Sequence, residues 1–332
     1  MLGVLVSRSQ QCTEENMVVR KEWSSLSAQE RVAYSDAVTC LQNLPSRLDN
    51  TLYPGATNRH ADFVAAHINY TFIIHQDAIF LPWHRAFVYL FETALQEECG
   101  YNGSQPYWDW PAYAGPNGTL AKSKIFDGSY DSMGSNGKGN NSCVYKGPFS
   151  QSNITTFRSF PHSLITDNIM NNGSGTIPTW SFDYEPRCLQ RALNDEAFRL
   201  NNNYSCINTL LAQPTIGEFE NYLSTPEGDP HFGPHGGGHA AMGGNGEDLF
   251  ISPTDPVFFL HHAQVDRMWT IWQSYDPDNR RYALNGTQTL QNVPPSPELT
   301  LDDQLTFGPL SANRTTRELM DVTAGPFCYR YE

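Results

Sequence analysis

Residues 67–84 place three histidines, His67, His75 and His84, among neighbours that are otherwise core-forming: Phe72, Ile73, Ile74, Ile79, Phe80, Leu81 and Trp83. An imidazole is costly to bury unless its ring nitrogens find partners. A single such histidine is most often a hydrogen-bonded core residue. A second cluster downstream alters that balance. His235 and His239 stand four apart, and so do His262 and Asp266 at the start of an apolar helical pattern. On a helix this spacing puts both side chains on one face. The chain therefore offers two sets of three imidazoles. All-histidine sets suit copper, zinc or nickel, whereas di-iron sites in helical bundles use mostly glutamates.

The histidines sit in a pattern of helices. Ser27-Ala-Gln-Glu30 is a capping box that opens a helix over residues 30–43, with Pro45 just past its end. Helical spacing returns from Asp62 to Ile74, with His67 inside it. Leu81-Pro-Trp-His84 starts the next helix, placing His84 in the first turn, and Gly100 stops it. Short helices are expected at 188–200, 205–212, 215–223 and 235–241, and a long one over 257–274. The block Pro106–Pro111 reads as packed aromatic loop, and residues 112–182 as irregular surface. The predicted fold is mainly α. A central four-helix bundle (30–43, 62–75, 83–98, 257–274) carries the metal site, wrapped in long loops and a few short strands. The whole of 1–332 reads as one domain, with its core at 30–275 and a C-terminal wrap at 276–332.

Composition narrows the function classes. With 21 Lys+Arg against 35 Asp+Glu the net charge is −14. Phosphate contacts need a basic surface, so nucleic acid is excluded as a partner. The run Met1–Val6 is too short for a signal peptide or a membrane span, and every later apolar run is interrupted by His, Asp or Arg. No membrane association is expected. Seven cysteines leave at least one unpaired if the others form disulfides. Asn-x-Ser/Thr sequons occur at Asn69, Asn102, Asn117, Asn140, Asn153, Asn172, Asn203, Asn285 and Asn313. Their number leans toward a secreted, extracellular glycoprotein.

Two motifs carry a family resemblance. One is His75 followed by His84 within Phe-Leu-Pro-Trp-His-Arg. The other is His235-x-x-x-His239 followed by Asp-Pro-Val-Phe-Phe-Leu-His-His-Ala-x-x-Asp-Arg, residues 255–267. Together they closely resemble the coupled binuclear copper proteins: tyrosinases, catechol oxidases and molluscan-type haemocyanins. The Glu-Cys-Gly-Tyr and Pro-Tyr-Trp-Asp-Trp blocks are similar to the short secreted polyphenol oxidases of fungi. Tyr329-x-Tyr331 looks like the motif that closes the central domain in that family.

The resemblance implies two copper ions, with O₂ and small phenols as partners; it leaves the oligomeric state open. It implies His67, His75 and His84 as ligands of one copper, and His235, His239 and His262 of the other. His60 competes with His67, which is preferred because it lies inside the helical pattern. His262 is preferred to His261, and neither His162 nor His231 is taken as a ligand. Asp266 is expected to hydrogen-bond a ligand imidazole; the alternative is a salt bridge on the helix surface. Leu249 is expected to overhang the first copper as a gate, or else to pack locally.

In the family's tyrosinases an asparagine after the first ligand of the second copper, with a nearby glutamate, orders a water that helps deprotonate monophenols. Here Gly236 follows His235 and Ala240 follows His239. The glutamate's place falls near Ser224, with Glu220 and Glu227 nearby. The resemblance therefore implies oxidation of o-diphenols to o-quinones with weak hydroxylation of monophenols. The alternatives are a full tyrosinase, an o-aminophenol oxidase or a haemocyanin-like oxygen carrier. A zinc hydrolase would need a carboxylate base at an open site. No cysteine lies between residues 41 and 98, so no thioether is expected near His75, and Cys40 and Cys99 are read as disulfide partners of some kind.

Overall fold

A computed structural model describes residues 11–116, 119–150, 154–161, 163–171, 173–225 and 232–332. Asn117, Asn153, Asn172, His162, Glu227, His231 and the run Met1–Val6 lie outside them. The fold is mainly helical. Helix α1 spans Ala28–Asn43, α2 Arg59–Tyr70 and α3 Phe80–Cys99. The short helices that frame the site are α4 at Asp195–Asn201, α5 at Tyr204–Leu211, α6 at Ile216–Leu223 and α7 at Gly233–Met242. Helix α8 spans Val257–Ser274. No helix among the described residues is long and apolar enough to cross a membrane.

Local chemistry sets the ends. At α1 the Ser27 hydroxyl accepts the Glu30 N–H at 3.2 Å, and the Glu30 carboxylate accepts the Ser27 N–H at 2.7 Å. Pro82 is the third residue of α3, where its missing N–H has no intrahelical acceptor anyway. Gly100 ends α3 in the left-handed region at φ 68°.

The structure differs from the sequence reading in several places. Short helices at Trp110–Tyr113 and Ser163–Met170 fall in stretches read as loop or irregular surface, and the helix expected at 188–200 spans Asp195–Asn201. Helix α3 begins at Phe80, so His84 sits in its second turn. The helix expected to reach Ile74 stops at Tyr70 and tightens into a 3₁₀ turn at Thr71–Ile73. There the Thr71 hydroxyl donates to the His67 carbonyl at 2.8 Å, and Gln76 enters the left-handed region at φ 49°. His75 is therefore carried by a turn rather than by the bundle.

Helix α8 packs along α3, and α1 lies against both α2 and α3. Phe91 of α3 stacks on Phe259 of α8 with ring centroids 3.4 Å apart, and Phe63 of α2 meets Phe91 edge-on at 5.3 Å. Each such ring contributes about 1.5–3 kcal/mol through burial. Disulfides join Cys40 to Cys99, Cys143 to Cys188 and Cys12 to Cys328, leaving Cys206 free. The Cys40–Cys99 bridge ties α1 to α3, so neither sulfur is available to His75.

The wrap returns to the start of the chain. Tyr329–Tyr331 pairs in parallel with Val18–Arg20. Along its way it braces α3: Thr306 accepts from the Trp83 indole at 2.9 Å, and Met320 from Arg85 at 2.7 Å.

Candidate metal centre

Three of the six expected ligands ride on bundle helices: His67 on α2, His84 on α3 and His262 on α8. His235 and His239 share one face of α7. The structure collects them into two adjacent groups, one of His67, His75 and His84, the other of His235, His239, His261 and His262. His84 stacks on His262 at 4.5 Å between centroids and joins the two.

The hydrogen bonds decide which nitrogen is free. His67 Nδ1 donates to the Phe250 carbonyl at 2.9 Å, His75 Nδ1 to Thr71 at 3.0 Å, His84 Nδ1 to Phe80 at 2.9 Å and His239 Nδ1 to Gly246 at 2.7 Å. A carbonyl only accepts, so Nδ1 carries the proton and Nε2 presents a lone pair. His235 Nδ1 meets the Ser224 hydroxyl at 2.9 Å.

Nε2 of His67 and of His84 is buried without a partner. His239 Nε2 lies 3.1 Å from His235 Nε2 and 3.2 Å from His262 Nε2. With metal–nitrogen bonds of about 2.0 Å such separations subtend roughly 100°, close to tetrahedral. Burial is the main cause that pushes all six rings toward the neutral state, to about 4 for His75 and for His239 and well below the ordinary value for the others. Neutral, convergent nitrogens without partners are what a metal ion requires.

The fourth imidazole of the second group differs. His261 Nδ1 accepts the Trp110 indole N–H at 3.1 Å, so its proton is on Nε2. This ring wedges against α7: a Cβ at Gly238 would fall 2.1 Å from His261 Cε1, and one at Gly237 2.3 Å from Asn201 Cβ. The glycines between His235 and His239 thus let α7 approach α8 and α4 closely enough to converge with His262.

The model for the common central domain of tyrosinase matches residues 57–275. The chain belongs to the tyrosinase family. N-acetyl-6-hydroxytryptophan oxidase of Emericella nidulans is 40% identical over 97% of this chain and 94% of its own length. Tyrosinase P of Aspergillus terreus is 40% identical over 94% of this chain and 91% of its own. The polyphenol oxidase of Thermothelomyces thermophila, solved as the G292N mutant, superposes with a TM-score of 0.88 at 35% identity, covering 97% and 90% of the two chains. The tyrosinase family binds a binuclear copper centre, and the two imidazole groups suit it in number and donor type.

His60 is away from both groups, buried between the rings of Phe91 at 5.9 Å and Phe259 at 6.4 Å. Burial pushes its pKa down to about 4, with Asp255 opposing. Its sign follows directly: below pH 6.5 the unfolded chain takes up a proton that the folded chain refuses. Stability should therefore fall between about pH 6.5 and 4 by about 3 kcal/mol from this one ring. Urea unfolding of His60→Leu at pH 7 and 4.5 should show a shallower decline than the parent; equal declines would refute it.

Asp266 makes no imidazole contact among those the structure shows, and it is not on the surface. It is buried and accepts from Arg85 Nε at 2.5 Å, from Arg20 at 3.4 Å, and from the hydroxyls of Tyr329 and Tyr331 at 2.6 Å each. The side chain points toward α3 and the wrap, one turn beyond His262, where two guanidinium groups outcompete a neutral ring.

Leu249 is half-buried and packs on a cluster around Phe250 and Ile251. Gly236 is half-buried, and a Cβ there would lie 2.9 Å from Phe232 Cβ; Ala240 is half-buried. Asn69, Asn102, Asn140, Asn285 and Asn313 are exposed. Asn203 caps α5, its side chain accepting from Ser205 and Cys206 and donating to Arg199.

Proposed function

We propose that this protein oxidises o-diphenols to o-quinones with O₂ and hydroxylates monophenols only weakly. His67, His75 and His84 would hold one copper ion, and His235, His239 and His262 the other. When bound, the pair of ions supplies the redox chemistry: two diphenols each give up two electrons and two protons, and one O₂ becomes two waters. The chain's own residues keep the six rings neutral and aim Nε2 inward, through carbonyl or hydroxyl partners on five of them and by stacking on Phe258 at His262, and exclude bulk water with Phe80 and Phe258. The Phe80 ring lies 4.7 Å from those of His84 and His235, and Phe258 4.1 Å from His262.

The observation that carries the diphenol preference is Gly236. It has no side chain to hold a water beside His235, and Ser224, not a carboxylate, bonds that ring. General-base help for a monophenol is correspondingly weak. The copper-loaded protein should turn over 4-methylcatechol at least about a hundredfold faster in kcat/KM than p-cresol, the range of a lost general base. Equal rates would sink this reading. The name of the Emericella nidulans relative favours, as a second reading, a hydroxyindole substrate.

Three disulfides support an oxidising compartment, and with the sequons a secreted protein. The hydrogen bonds from the wrap to α3 support one catalytic domain over the chain.

A further inference from the structure

Beside the two imidazole groups lies a cavity of about 290 Å³, walled by the loop after His75, by α6 and by residues 285–292. Phe80 and Ser224 line it, and both touch His235, by ring contact at 4.7 Å and by hydrogen bond at 2.9 Å. Two carboxylates face it, Asp77 and Glu220, and none of its lining residues is lysine or arginine.

Asp77 Oδ1 accepts the Ile79 N–H at 2.9 Å in the turn before α3, but its Oδ2 is buried and has no hydrogen-bond partner. At Glu220, burial first and the charge of Asp77 second hold the carboxyl well above its ordinary value. Two half-buried carboxyls beside one another, with no cation among the lining residues, favour the neutral acid until a ligand brings positive charge.

The cavity is pre-formed. Gln76, Gln291 and Asn292 line it in the left-handed region, at φ 49°, 49° and 58°. The Gln291 amide donates to Gln76 Oε1, and the Ala78 N–H to Thr287 at 3.0 Å. Non-glycine residues persist in that region when their surroundings hold them there, and they gather at functional sites.

We propose that this cavity receives the side chain of the phenolic substrate, and that Glu220 with Asp77 selects a substrate carrying a protonated amine on that chain. The proposal rests on the oxidase reading above. An ammonium group offers three donors, and charge-assisted bonds to a carboxylate are about twice as strong as neutral ones. Glu220 acts on binding and takes no part in electron transfer, so its effect belongs in KM.

The test uses the full-length, copper-loaded protein with three catechols: dopamine, neutral 4-methylcatechol and anionic 3,4-dihydroxyphenylpropionate. The parent should prefer dopamine to the propionate by about tenfold or more in kcat/KM, the scale of one charge-assisted contact. In Glu220→Gln, which keeps the size of the side chain, the dopamine to 4-methylcatechol ratio should fall about tenfold through KM, and Glu220→Asp should restore part of it. Calorimetric titration with phenethylamine, which cannot be oxidised as a catechol, should show binding to the parent and its loss in Glu220→Gln. The proposal is overturned if the ratio is unmoved or phenethylamine binds both proteins alike. It is equally overturned if the cavity proves to hold a divalent metal that the amine does not displace. If no catechol is turned over but Glu220→Gln loses phenethylamine, the oxidase reading fails and the amine site stands.

Discussion

Asp266→Ala should lower the free energy of unfolding by about 3–5 kcal/mol, one of the largest losses a single substitution in this chain can produce. The reason is what it leaves behind. Arg20 and Arg85 are both buried, and both direct a guanidinium at this carboxylate. Arg20 keeps Glu92, and Arg85 keeps the carbonyls of Leu319 and Met320 and its place over the Trp269 ring. Two positive charges would then share one buried carboxylate, and two tyrosine hydroxyls would lose their acceptor. Urea unfolding is the check, and a loss below about 1 kcal/mol, the size of a surface pair, would refute it.

The same residue gives a pH signature. Burial alone would raise its carboxyl, but Arg85, Arg20 and the two hydroxyls hold it below the ordinary value. Its contribution is therefore complete above the unfolded-state pKa and fades as acid protonates the folded carboxylate.

The second large effect separates neighbours. His262→Ala should lower bound copper from two ions per chain to one and reduce diphenol turnover by more than about a thousandfold, about 4 kcal/mol of activation free energy. His261→Gln should retain two coppers, because His261 Nδ1 is taken by Trp110 and its ring serves as a spacer beneath Gly238. Metal analysis of the two purified variants decides the matter. Loss of copper from His261→Gln with retention in His262→Ala would reverse the assignment.

Much of this was legible in the residues. The capping box at Ser27, the proline in the first turn of α3 and the glycine after it are local signals, and the helices they bound were found within a few residues. Four-residue spacing puts His235 and His239 on one helix face, whereas the grouping of six histidines into two sets of three rests on the family resemblance. What escaped notice was non-local. Asp266 reads as a neighbour of His262, yet its partners arrive from residues 20, 85, 329 and 331, a convergence no spacing encodes. The turn at Thr71–Ile73 hides because its apolar residues continue the helical pattern, while the break depends on a side-chain hydroxyl and a left-handed glutamine. The cavity at Glu220 is walled by three segments far apart in the chain, and only the fold brings the two carboxylates together.

The bond between Cys12 and Cys328 turns residues 12–328 into a covalent ring, with the smaller Cys40–Cys99 and Cys143–Cys188 loops nested inside. A single nick in the backbone between those outer cysteines opens the ring without dividing it, so both pieces stay tethered around the same core until a reductant arrives. Such a molecule withstands one hydrolytic cut in its long loops as a linear chain of the same fold would not.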